Sequence, residues 1–69
     1  MITLHRGSFR IEASGVPEPG GACFVTAEVY EGRRMVRGYY RRVEMDDTDV
    51  RQAEWNVAED VAQMTGEAE

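Results

Sequence analysis

This chain of 69 residues contains no lysine, a single cysteine and a single histidine. Cys23 alone cannot form an intramolecular disulfide, and His5 alone leaves no zinc-binding set of cysteine and histidine, so we expect neither metal nor cofactor. A chain of this size buries only about 60% of its unfolded surface on folding. We therefore predict one thinly stabilised domain over residues 1–66, with 67–69 as a disordered tail, and packing or association as its source of stability.

Long apolar runs are missing as well. No segment approaches the ~20 residues that a membrane helix requires, and residues 1–4 are too short to form the apolar core of a signal peptide. We therefore expect a cytoplasmic protein that does not contact the membrane.

Recognisable catalytic sets are also lacking. His5 has no carboxylate or nucleophile at motif spacing, and Cys23 lies among inward-facing strand residues, where a thiol behaves as a small hydrophobe. The acidic residues Asp46, Asp47 and Asp49 lack the glycine and terminal glutamate of a calcium loop. These patterns predict that the protein is not an enzyme.

Charge is distributed unevenly along the chain. Residues 1–45 hold seven arginines against five glutamates, a net of +2, whereas residues 46–69 hold one arginine against eight acids, a net of −7. The whole chain carries −5. We expect a mildly basic part followed by an acidic part.

Alternation of apolar and polar residues predicts three strands, at residues 6–13, 22–30 and 34–44. The proline- and glycine-rich residues 14–21 are predicted to form an exposed loop, and residues 31–33 a hairpin turn with Gly32 at positive φ. The face of the third strand is ambiguous. We prefer Val36, Gly38 and Tyr40 inward, because the opposite choice would bury two arginines.

A helix is predicted from about residue 49 to Met64, capped by Thr48 or Asp49 and stopped before Gly66. Its main apolar stripe consists of Val50, Ala53, Val57, Val61 and Met64. Trp55 lies roughly 140° from Val50, near Ala58 and Ala62, on a second, weaker strip.

The predicted fold is therefore α+β: a three-stranded antiparallel meander with one C-terminal helix packed across one face. The expected core contains Phe9, Ile11, Val25, Ala27, Val29, Val36, Tyr40, Val50, Val57, Val61 and Met64.

Two sets of residues are candidate binding sites. Arg10, Arg37, Tyr39 and Arg41, with Phe24 and Tyr30, are predicted to form an outward sheet face that contacts nucleic acid. The alternative is that the arginines pair with glutamates of neighbouring strands, and the net charge of −5 favours this alternative.

The second set is a protein interface built from Trp55, Ala58 and Ala62 on the helix, together with Phe24 and Tyr30. Alternatively, Trp55 folds over the sheet edge within one monomer.

The order of these elements resembles several families. The segment from His5 to Ile11, the glycine-rich loop and the helix with Ala53 and Ala58 resemble short uncharacterised bacterial domains of β-β-β-α order. The stretch EPGGACFVTAEV, followed by Thr48 and the helix, is similar to HicB-like antitoxins, which implies a partner toxin. A three-stranded sheet with one helix also looks like the arm-binding domains of tyrosine recombinases, which implies DNA contacts by Arg37, Tyr39 and Arg41.

From the sequence we expect a small, non-catalytic protein-interaction module that forms a homodimer and contacts an unknown protein partner. The alternative is weak DNA or RNA binding through the arginine- and tyrosine-rich sheet face, although the net charge disfavours nucleic acid.

Overall fold

A computed structural model of the protein shows an antiparallel sheet followed by one helix, which confirms the predicted α+β class. The structure describes residues 1–44 and 49–67, the side chains of 66 and 67 excepted. The sheet has four strands rather than the predicted three, in the order β1-β2-β3-β4. The elements are β1 (Ile2–Arg6), β2 (Phe9–Glu18), β3 (Ala22–Glu31), β4 (Arg34–Glu44) and α1 (Val50–Glu67).

The additional strand is β1, which pairs with β2 from Ile2 opposite Ala13 to Arg6 opposite Phe9. Gly7 and Ser8 form the two-residue turn between them. The sequence prediction merged the end of β1 with β2 because both carry alternating apolar residues. A Gly-Ser dipeptide between two such runs is a hairpin signal that would have separated them.

β2 is also longer than predicted. Residues 14–18, expected in a loop, remain paired with β3 as far as Glu18 opposite Ala22, and only residues 19–21 turn. The described part of β1 begins opposite Ala13, so β2 is an edge strand from residue 14 onward. Proline, which lacks an N–H group, is tolerated at such an edge, and Pro17 therefore does not interrupt the strand.

At Gly15, α1 lies close to β2. A Cβ atom there would lie 3.0 Å from Val50 Cγ1, 3.1 Å from Cys23 Sγ and 3.2 Å from Glu54 Cγ. The Gly15 amide donates a 2.7 Å hydrogen bond to the carboxylate of Glu54, whose side chain is only 6% exposed. The amino group of Met1 lies 3.3 Å from the same oxygen. A glycine and a buried glutamate thus fix the helix on β2.

The face assignment of β4 was wrong. Ala27 is paired with Tyr39 and Val29 with Arg37, and directly paired residues share a face of the sheet, so the two β4 side chains lie on the helix side. Tyr40, predicted to be in the core, is 70% exposed. The prediction assumed that the helix side of β4 is buried. However, α1 packs mainly on β1, β2 and β3, so arginines can occupy that side without losing water.

A β-bulge adds to the irregularity of β4. The register passes from Tyr30 opposite Met35 to Val29 opposite Arg37, which leaves Val36 as the additional residue. Val36 is 40% exposed and is not a core residue, contrary to prediction.

The core lies between the sheet and α1. The predicted helix stripe is confirmed: Ala53, Val57 and Val61 are buried, while Val50 and Met64 pack partly buried against them. The helix continues to Glu67, past the predicted end at Met64. The candidate cap Thr48 and the acids Asp46 and Asp47 lie outside the described residues. The buried apolar residues of the cluster are Ile2, Ile11, Ala13, Cys23, Val25, Ala27, Val29, Ala53, Val57, Ala58, Val61 and Ala62.

Candidate functional site

The face of the sheet opposite α1, called here the open face, is uncovered by any described residue. Strand alternation directs Val16, Phe24, Tyr30, Met35 and Tyr40 to this face, and the alternation of β3 was predicted correctly. Val16 is 61% exposed and Met35 52% exposed, which is unusual for large apolar side chains on a small protein. The open face therefore displays two apolar and aromatic groups, Val16, Phe24 and Tyr40 towards one end and Tyr30 and Met35 towards the other, with Glu12 and Glu28 between them.

The aromatic groups of the open face contact one another and the neighbouring arginines. The rings of Phe24 and Tyr40 have centroids 5.7 Å apart and are tilted by 48°. The guanidinium of Arg10 lies 4.8 Å from the centre of the Tyr30 ring. Such ring and cation–π contacts fix the orientation of large side chains that would otherwise move freely in water.

Both arginines of the open face are already paired with carboxylates. Arg10 Nε lies 2.8 Å from Glu12, and Arg42 Nε lies 3.6 Å from Glu18. These pairs are surface ion pairs and stabilise the fold only slightly. Their importance is that they leave little positive charge on this face for a phosphate group.

Gly38 produces a notch in the open face. A Cβ atom at Gly38 would have no heavy atom within 4 Å, and the depression there has a volume of about 290 Å³. Glu28, Met35 and Tyr40 form its walls. The notch at Gly38 therefore lies beside the protruding ring of Tyr40, which is two residues further along the same strand.

Tyr30 has a perturbed titration on this face. Desolvation by neighbouring groups raises the pKa of its hydroxyl above the usual value, and the carboxylates of Glu28 and Glu12 raise it further, while Arg10 lowers it. Tyr30 therefore stays neutral over the whole physiological pH range, and its hydroxyl donates a hydrogen bond to the Glu28 carboxylate.

A second surface lies on the other side of the sheet, where α1 leaves β4 partly uncovered. We call it the β4 shelf; it consists of Arg37, Tyr39, Arg41 and Val43. Arg37 Nη1 donates to the hydroxyl of Tyr39 at 3.4 Å, and the guanidinium of Arg41 lies 5.5 Å from the centre of the same ring. No carboxylate of the described residues forms an ion pair with Arg37 or Arg41.

An apolar cleft adjoins the β4 shelf, between β4 and the last turns of α1. Its volume is about 200 Å³, and Phe9, Val29, Val36 and Met64 contribute apolar groups to its wall. Arg37 and Tyr39 border the same cleft. The shelf thus combines an adjacent apolar space with two arginines that no described carboxylate neutralises.

The structure divides the predicted nucleic-acid set between the two faces. Arg10 lies on the open face with Phe24 and Tyr30, whereas Arg37, Tyr39 and Arg41 form the shelf on the helix side. The expectation of one continuous basic and aromatic face was therefore wrong. The reason is that the side chains of β4 lie on the opposite faces of the sheet from those predicted.

The predicted helix patch is also divided. Ala58 is fully buried and Ala62 is 5% exposed, so neither has a surface to offer to a partner. Trp55 is half-buried and packs against the core of its own monomer. Of the predicted protein-interface residues, Phe24 and Tyr30 lie on the open face.

Glu54 was missed as a structural residue, although the sequence contains a signal for it. At helical spacing it lies within the apolar stripe, about 40° from Val50, where a carboxylate is out of place unless it has a buried partner.

Among the described residues, no helix is both long and apolar enough to cross a bilayer, and no three His, Cys, Asp or Glu side chains group closely enough to hold a metal ion. The chain matches no protein-family model, no curated protein and no solved structure. The family resemblances stay predictions, and the two surfaces are the features of the molecule that bear on its function.

Proposed function

We propose that the protein is a non-catalytic interaction module that forms a homodimer through the open face. The observation that carries this proposal is the exposure of three large apolar side chains on that one face, Val16, Met35 and Tyr40. A face of this kind is typical of protein interfaces, whose buried centres are rich in aromatic residues and methionine.

The charges of the open face support a protein partner over a nucleic acid. Arg10 and Arg42 are paired with Glu12 and Glu18 within the monomer, so a partner does not have to neutralise them. The open face is also large enough for a protein interface. The molecule measures 37 × 21 Å in this plane, an area of the same order as the roughly 800 Å² that each partner buries in a standard interface.

Self-association is favoured by the shape of β4. Tyr40 protrudes at 70% exposure, and the Gly38 notch lies two residues away on the same face. A two-fold axis passing near residue 39 would place the ring of each copy in the notch of the other. Such a contact is self-complementary, as the interface of a symmetric dimer must be.

Sedimentation equilibrium up to high micromolar concentration tests this proposal. We expect the wild-type chain to dimerise and Tyr40→Ala to weaken the dimer by about 2 kcal/mol, roughly 30-fold in Kd, as for a central aromatic residue. The control is Val36→Ala, which removes an exposed apolar group on the helix side and should leave the dimer unchanged. A single 7.8 kDa species at the highest concentration would refute the proposal.

Weak nucleic-acid binding is the second candidate, and the observation in its favour is that Arg37 and Arg41 form no ion pair with a described carboxylate. Titration with a short DNA duplex at low salt tests it. Affinity that is insensitive to salt, or that survives Arg37→Glu with Arg41→Glu, would exclude phosphate contacts at the shelf.

A further inference from the structure

The β4 shelf and the adjacent edge of β4 are not used by self-association through the open face. We propose that they bind an acidic, extended peptide segment of another protein, which adds to β4 as a fifth strand. This inference concerns a different surface and a different partner from the proposed homodimer, so either can fail without the other.

The outer edge of β4 is available for strand addition. β4 is the last strand in the sheet order, and no described residue pairs with its outer edge. An edge strand presents unpaired N–H and C=O groups that an extended peptide can satisfy. The bulge at Val36 interrupts the regular edge, so the pairing segment is confined to residues 37–44.

The arginines of the shelf define the charge of the peptide. Arg37 and Arg41 lie on the same face of β4, one on each side of Tyr39. Tyr39 contacts both guanidiniums and keeps them aligned along the strand. Acidic side chains four residues apart on an added strand would lie opposite these two arginines, where cross-strand pairs of opposite charge are stabilising.

The apolar cleft defines the residue between the two acids. An added strand directs every second side chain to the helix side, so the residue midway between the acids lies opposite Tyr39. There it packs beside Tyr39, whose ring borders the apolar cleft together with Val36 and Met64. The expected recognition pattern is acidic, any residue, apolar, any residue, acidic.

A second copy of this chain does not fit the same edge. Antiparallel pairing of two β4 strands about Tyr39 would set Arg37 of one copy against Arg41 of the other, and like charges in direct opposition are destabilising. A nucleic acid fits less well than a peptide, because the chain carries −5 and a sugar-phosphate backbone cannot form the strand's main-chain ladder.

The test is an NMR titration of the isotope-labelled protein with the synthetic peptide Ser-Glu-Thr-Val-Thr-Glu-Ser. The matched peptide Ser-Glu-Glu-Val-Thr-Thr-Ser has the same composition but directs its acids to opposite faces of a strand. We expect shifts confined to β4 and the end of α1, slower hydrogen exchange of β4 amides, and at least about tenfold weaker binding of the matched peptide.

Two double variants complete the test. Arg37→Gln with Arg41→Gln should weaken binding at least about tenfold, whereas Arg33→Gln with Arg34→Gln makes the same change in net charge at exposed positions outside residues 37–44 and should have little effect. Equal binding of both peptides, or equal losses in both double variants, would overturn the proposal. So would an oligonucleotide that shifts Arg37 and Arg41 when the peptide does not, because the shelf would then be a phosphate site.

Discussion

At the scale of single residues, Gly15 and Gly38 are a natural pair, because both lie inside strands but only Gly15 is crowded. An added Cβ at Gly15 would meet Val50, Cys23 and Glu54 at 3.0 to 3.2 Å, whereas one at Gly38 would meet nothing within 4 Å. We predict that Gly15→Ala costs about 1 to 3 kcal/mol, as overpacked cores do. Gly38→Ala should be neutral or stabilising by up to about 1 kcal/mol.

Chemical denaturation of the two alanine variants measures this difference. A melting temperature would show it too, because about 1 kcal/mol corresponds to roughly 4–8 °C in a domain of this size. Equal stability of the two variants would show that α1 does not approach β2 as closely as the structure has it.

Tyr30 leads to a prediction about alkaline pH. Because its pKa is raised in the folded state, the folded protein holds the phenolic proton more tightly than the unfolded chain does. The resulting stabilisation is complete below the unfolded pKa of about 10 and is lost as pH rises through the folded value. Urea denaturation across this range should show a steeper loss for the wild type than for Tyr30→Phe.

Glu28→Gln provides an independent check on the same residue. Removing this carboxylate removes one of the causes that raise the pKa of Tyr30, so the alkaline loss of stability should become smaller. If Tyr30→Phe lost stability above about pH 10 as steeply as the wild type, the tyrosine would not be the group responsible.

At the scale of elements, the helix and β3 were predictable from the sequence because each has one apolar and one polar side. In β3, Val25, Ala27 and Val29 alternate with polar or aromatic residues, and the structure retains that division. β4 has no such contrast. Arg41 and Arg42 are adjacent and lie on opposite faces, so polarity alone could not assign the inward side.

The boundaries that were missed depend on position in the sheet rather than on local composition. Gly15 and Pro17 indicate a turn by composition, yet both lie within β2, because an edge strand tolerates them. The separation of the open face from the β4 shelf depends on the bulge at Val36, which is set by pairing with β3. The sequence therefore predicted only part of the open face, namely Phe24 and Tyr30.

The junction of α1 with β2 gives a prediction at this scale. Glu54→Ala removes the acceptor of the 2.7 Å hydrogen bond from the Gly15 amide and leaves that amide without its partner. We expect a loss of about 1 to 3 kcal/mol in the free energy of unfolding. Glu54→Gln retains a side-chain oxygen that can accept the bond and should cost less.

Urea denaturation of both variants distinguishes the hydrogen bond from a requirement for the carboxylate charge. If alanine and glutamine were equally destabilising, the carboxylate charge would be the important feature. If neither variant changed the midpoint, Glu54 would not anchor the helix.

At the scale of the whole molecule, the sheet separates two surfaces with different chemistry. The protein is a thin slab, 37 × 21 × 15 Å, with α1 on one side and the open face on the other. A partner on the open face therefore does not touch the helix. Trp55, the only tryptophan of the chain, packs against the core on the helix side and reports on that side alone.

This separation predicts how tryptophan fluorescence responds to dimer dissociation. Dilution from high to low micromolar concentration should leave the emission maximum of Trp55 unchanged while sedimentation shows loss of the dimer, because the indole stays half-buried in each monomer. Tyr40→Ala should give the same spectrum at every concentration. A red shift on dilution would show that Trp55 becomes more exposed as the subunits separate, and the interface would then be the helix flank that the sequence first indicated.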